Sequence, residues 1–101
     1  MEPPTWSFLT NHARVLICVA GDANIRLRDI GANIGITERA AHRIVAELVD
    51  AGYVTRERDG RRNRYTVLTD RPLPDQMARG QSVGELLALL ASSEIPQAPV
   101  D

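Results

Sequence analysis

Lysine is absent from this chain, and all twelve of its basic residues are arginine. Cysteine is nearly absent too. The lone Cys18 excludes a disulfide within the chain and fits a reducing cytoplasm. Its apolar surroundings, "RVLICVA", make it a small core residue rather than a redox sensor. The four aromatics are Trp6, Phe8, Tyr53 and Tyr65, too few to stack the bases of single-stranded RNA. No apolar stretch is long enough to span a bilayer, and "MEPPTWSFLT" lacks the basic and apolar regions of a signal peptide. His12 and His42 fall on different expected helices without a cysteine or carboxylate cluster, which excludes a metal site. No nucleophile–base pair, glycine-rich phosphate loop or pair of catalytic carboxylates is present. The chain therefore reads as neither an enzyme nor a cofactor binder.

What is present is an ordinary globular composition. The chain has 101 residues, 44% hydrophobic and 25% charged, which suits one small domain with a short appendage. Its formal net charge is −1, but the charge is unevenly spread. Residues 38–68 hold seven arginines against five acids, a local +2; from residue 69 onward, two arginines face five acids, a local −3. Arginine suits bidentate phosphate and guanine contacts better than lysine does. An all-arginine repertoire also follows from genome composition alone.

"LTNHARVLICVAGD" reads as a first helix, capped by Thr10, with Ala13, Leu16, Ile17 and Ala20 at helical spacing and Gly21 as its stop. Trp6 and Phe8 are expected to cover one end of the core. Residues 25–27 are expected to form a very short strand, and residues 28–33 a short second helix. "ITERAAHRIVAELVDAG" is the clearest helix. Thr37 caps it, Ala41, Ile44, Val45 and Leu48 form its apolar stripe, and Gly52 stops it. "YVTRERDGRRNRYTVL" alternates about an Asp59-Gly60 pair, a strong hairpin signal. A turn on those two residues would set Arg58 opposite Arg61, Glu57 opposite Arg62 and Val54 opposite Tyr65. Residues 70–81 read as a linker. Residues 82–93 read as a C-terminal helix with Ser82 and Glu85 in capping-box spacing, and residues 94–101 as a flexible tail.

The second and third helices carry the functional signal. Ile30 and Ile34 point inward, Gly31 permits close approach, Gly35 supplies the turn, and Ile36 plugs the core. Short strand, helix, turn, helix and basic hairpin, in that order, describe a winged helix. "RLRDIGANIGITERAAHRIVAELVDAGYVTRERDGRRNRYTVLT" resembles the winged helix-turn-helix core of MarR-like bacterial transcriptional regulators. "DGRRNRYTVLT" resembles that family's wing, "AGYVTRE" its helix-to-wing joint, and "WSFLTNHARVL" its first helix. The resemblance covers residues 6–69. It implies a mainly α fold with a small β-hairpin, a winged helix-turn-helix plus a C-terminal helix, acting as a dimeric binder of double-stranded DNA. Typical members have longer helical arms that form the dimer and a small-molecule pocket. This chain has only a short C-terminal helix, so the resemblance does not extend to effector binding.

In the major groove, the exposed start of the third helix would present Thr37, Glu38, Arg39, His42 and Arg43 to base edges. Arg39 and Arg43 share one face and suit guanine, each worth about 1–3 kcal/mol of discrimination. The wing would offer Arg58, Arg61, Arg62 and Arg64 to phosphates or a narrow minor groove, with Arg61 and Arg62 foremost. The alternative is a solvated helix face and a hairpin of weak cross-strand ion pairs. Val83, Leu86, Leu87 and Leu90 form an apolar face that either folds back on its own domain or joins a second copy. The competing function is a winged-helix protein-interaction module that does not bind DNA.

Overall fold

The computed structural model describes residues 2–90. In chain order the elements are α1 (Asn11–Gly21), α2 (Leu27–Ile34), α3 (Glu38–Asp50), β1 (Val54–Asp59), β2 (Arg62–Val67), a 3₁₀ turn (Gln76–Ala78) and α4 (Val83–Leu90). Among the described residues, four α-helices with one antiparallel hairpin make a winged helix. No described helix is long and apolar enough to cross a membrane.

Each helix starts or stops where local chemistry requires it. Thr10 and Thr37 take extended backbone, and their hydroxyls accept from the amides of Ala13 and Ala40. Each cap satisfies one of the orphan amides of a first turn. Gly35 closes α2 in the left-handed region, φ 79°, and the Ile36 amide donates back to the Gly31 carbonyl at 2.9 Å. Gly52, φ 85°, closes α3 in the same way: the Tyr53 amide reaches Leu48 O and the Gly52 amide reaches Val49 O. Both endings are positive-φ stops that suit glycine and satisfy orphan carbonyls. Arg71 adds a guanidinium donor to the Gly52 carbonyl, at 3.0 Å.

One core runs through the four α-helices and the hairpin. Val15, Leu16 and Val19 of α1 meet Ile30 of α2 and the Ala41, Ile44, Val45, Leu48 stripe of α3. Val54 and Tyr65 close it from the hairpin, and Val83 and Leu87 from α4. Burying each of the larger aliphatic side chains contributes about 1.5–3 kcal/mol.

Several sequence expectations change. Residues 25–27 form no strand; α2 begins at Leu27 instead. The neighbouring backbone still meets the hairpin, because the Tyr65 amide donates to the Ala23 carbonyl at 2.8 Å. Gly21 is the last residue of α1 and has no positive φ; extended Asp22 follows it as the cap. The buried face of α1 is turned toward Val15 and Val19, leaving Ala20 exposed. Trp6 and Phe8 cover nothing. They are 62% and 91% exposed, stacked edge-on against each other with centroids 5.1 Å apart.

The hairpin register also differs from a turn on Asp59-Gly60. Gly60 and Arg61 occupy the turn, so Asp59 faces Arg62, Glu57 faces Arg64, and Val54 faces Val67. A turn on Asp59-Gly60 would have placed Asp59 at a positive φ. Here only Gly60, φ 66°, takes that conformation, the pattern of a type II′ turn.

Residues 70–81 are more ordered than a linker. Pro72 bridges Ser82, and the Leu73 amide donates to Gln81 O. The first amides of α4 are satisfied from the same strap, Val83 N by Arg71 O and Gly84 N by Thr69 O. Ser82 and Glu85 form the reciprocal capping box, at 2.7 and 3.1 Å. Residues 91–93 of the expected helix and the 94–101 tail lie outside the described residues.

Candidate nucleic-acid interface

The turn between α2 and α3 is set by Gly31. A methyl group there would lie 2.6 Å from the Ile36 carbonyl oxygen. With only hydrogen at that position, the chain passes directly over α2 and enters α3 at Thr37. Ile30, fully buried, and Ile44 then lock the two helices together. Consequently Thr37, Glu38, Arg39, His42 and Arg43 all stand exposed on one side of α3.

The wing stands beside this face. Arg58 pairs across the hairpin with Asn63, Arg61 is in the turn, and Arg62 and Arg64 lie on β2. All four arginines are exposed. The hairpin is tied down near its tip by the α1–α2 loop. Arg62 Nη1 donates to the Asn24 carbonyl at 3.4 Å, and Asn24 Nδ2 lies 3.5 Å from both Asp59 Oδ2 and Asn63 O.

Between wing and helices lies a cleft of about 390 Å³, lined in part by Arg26, Arg28, Glu38, Arg61 and Arg62. Four arginines against one glutamate give its walls a formal +3, from 4 − 1. Arg26 is the α2 N-cap residue, and its side chain caps nothing. The first amides of α2 therefore add partial positive charge to the same end of the cleft.

A protein-family model described as the MarR family matches residues 7–64. The chain belongs to the MarR family. No curated protein matches it. MarR-family proteins are winged-helix transcriptional regulators rather than enzymes, and the match spans α1 through the first half of β2.

Within this MarR-family chain, Glu38 of α3 lines the arginine cleft together with Arg61 and Arg62 of the wing, whereas Thr37, Arg39, His42 and Arg43 do not line it. Arg58 and Arg64 stand on opposite faces of the hairpin, because β-strand side chains alternate. Arg26 and Arg28 are the residues that the sequence reading missed. Their signal was the "RLR" run at the start of α2, but only the return of the wing to the α1–α2 loop reveals what they face. The apolar C-terminal face is divided. Val83 and Leu87 are buried in the protomer's own core and so are not available to a second copy, whereas Leu89 and Leu90 are exposed and Leu86 half-buried. Among the described residues, no three histidine, cysteine, aspartate or glutamate side chains are grouped to hold a metal ion.

One polar cluster lies behind the exposed face. Arg43 Nη1 donates to Glu47 Oε2 at 3.2 Å, and His12 Nε2 meets Glu47 Oε1 at 2.7 Å. The hydrogen bond with His12 is the largest influence and holds the Glu47 carboxyl below its ordinary value; desolvation opposes it, and Arg43 acts in the same direction as His12. A carboxyl whose value is lowered by folding stabilises the fold above its unfolded titration, and that stabilisation is lost as pH falls through the folded value. Glu47→Gln should therefore bring its thermal midpoint closer to that of the wild type as pH falls below the carboxylate range. Parallel melts from neutral to acid pH would check this, and a constant offset would contradict it.

Proposed function

We propose that this protein is a sequence-specific regulator that binds duplex DNA with α3 in the major groove and the wing on backbone or minor groove. The single observation that carries this reading is the arginine cleft, where α2, α3 and the wing converge with a formal +3. Its partner must be polyanionic. Arg39 and Arg43 read base edges, with Thr37, Glu38 and His42 beside them. Arg61 and Arg62, supported by Arg26 and Arg28, contact phosphates, and Arg58 and Arg64 flank them. A protein-interaction module would leave this convergence of arginines without a role.

The protein acts as a homodimer in this proposal. Leu86, Leu89 and Leu90 on the outer side of α4 meet the same face of a second copy. A two-fold pair would read two half-sites about 34–36 Å apart.

The test is a binding titration with duplex DNA at several salt concentrations. Phosphate contacts release counterions, so affinity should fall steeply with salt. Arg61→Ala with Arg62→Ala should flatten the log–log slope by up to about 2, given a loss of ~0.9 per phosphate contact. The loss should be similar for any sequence, because backbone contacts position rather than specify. Wild-type binding that is absent at low salt, or a slope indifferent to both arginines, would remove the basis for this reading.

A further inference from the structure

We propose that Glu47 is a positioning residue for Arg43, and that His12, reaching across from α1, holds Glu47 in that role. This rests on the DNA-reading function proposed above. Residues 39, 43 and 47 form one row along α3 at four-residue spacing. An exposed pair at such spacing is ordinarily weak and mobile. Here the carboxylate is fixed at both oxygens. Oε2 takes Arg43 at 3.2 Å, and Oε1 takes His12 at 2.7 Å from thirty-five positions away in the chain.

That third partner changes what the pair does. Glu47 sits at the joint between α1 and α3, and turning away from Arg43 would break the contact with His12. The Arg43 side chain is 63% exposed, so water alone would leave its guanidinium free to sample many rotamers. Anchored through Nη1, it has fewer arrangements to lose when it meets a base. A guanidinium carries five donors, and a bidentate guanine contact uses two, so the anchor and the base can be served together. Glu47 itself repels phosphate. Its contribution is therefore to discrimination between sequences and not to overall affinity.

The test uses two probes: a duplex enriched from a random pool by the wild-type protein, and an unselected duplex of equal length. Glu47→Ala should lower the ratio of the two affinities by about 3- to 30-fold, the range of coupled side-chain pairs. Affinity for the unselected duplex should hold or rise, because a negative charge has gone. His12→Ala should act in the same direction with a smaller effect. Glu47→Gln, which keeps an acceptor for Arg43, should restore most of the ratio. In an Arg43→Ala background, Glu47→Ala should leave the ratio unchanged.

A merely structural role would lower the thermal midpoint and both affinities together, and that pattern would overturn the proposal. So would a loss of ratio that persists without Arg43. Should Glu47→Ala not fold, His12→Ala, alone and in the Arg43→Ala background, carries the same comparison. Wild-type protein that binds neither duplex overturns the DNA-reading function and this proposal with it. Enrichment that is insensitive to all three variants overturns this proposal alone.

Discussion

Replacing Arg39 and Arg43 together with alanine is expected to weaken binding to the enriched duplex by about 30-fold to 10⁴-fold, taking 1–3 kcal/mol for each guanine contact. The two residues lie one turn apart on the exposed side of α3, directly after its capped start. In the proposed complex, their removal empties the part of the helix that would enter the groove first. Neither contributes to the core, so the thermal midpoint should hardly move. Arg43 gives up only an exposed ion pair with Glu47, of the kind that contributes little to the stability of the fold. Affinity for unselected DNA should fall far less, since the proposed backbone contacts of Arg61 and Arg62 remain. Titration of both duplexes by fluorescence anisotropy separates these outcomes. An equal loss on both would mean that α3 contributes charge and not recognition.

Gly31→Ala is expected to destabilise the fold by about 1–3 kcal/mol, lowering the thermal midpoint by roughly 5–20 °C. Helix propensity alone predicts the opposite, because alanine is favoured over glycine by about 1 kcal/mol. The local geometry decides between them. The added methyl would lie 2.6 Å from the Ile36 carbonyl oxygen and 3.3 Å from the Thr37 carbonyl group. These are backbone atoms and cannot rotate away. Either the turn opens or α2 shifts, and both displace the Thr37 cap and the reading face behind it. Gly21→Ala is the matched control. It is also helical and meets nothing within 4 Å, so it should raise stability by up to about 1 kcal/mol. Thermal and urea melts of the two variants should move in opposite directions. A Gly31→Ala protein as stable as the wild type would show that the turn has slack.

The α3 stripe of Ala41, Ile44, Val45 and Leu48 was legible in the sequence because a helical repeat with a cap and a glycine stop leaves one solution. So were the Gly35 turn and the order of helix, turn, helix and hairpin. The hairpin's register was not. The choice between a turn on Asp59-Gly60 and one on Gly60-Arg61 depends on which residue adopts a positive φ, and Gly60 fits both. Arg26 and Arg28 were invisible as site residues because no local pattern reveals which helix end the wing will return to. For α4 the amphipathic face was plain, but its partner was not. Val83 and Leu87 turn inward because the strap before them places Val83 N against Arg71 O, a contact between neighbours that periodicity does not report. Glu47 carries no signal in the sequence, because a glutamate on a helix surface is ordinary until a histidine from another helix arrives beside it.

The tether between the wing and the α1–α2 loop bears on how quickly the protein recognises its partner. A two-stranded hairpin alone is marginally stable in water and samples many tilts. Here the Tyr65 amide is bound to Ala23, and the Asn24 carbonyl receives Arg62, so the hairpin carries the rigidity of the helices behind it. A charged probe that arrives already oriented wastes fewer collisions with a helical polyanion. In the proposed complex the tether would also hold the wing at a constant distance from α3. Segment 22–26 therefore acts as a gauge: lengthening it by even one residue would free the wing to tilt, and in the proposed complex the spacing between α3 and the wing would be lost before any single contact.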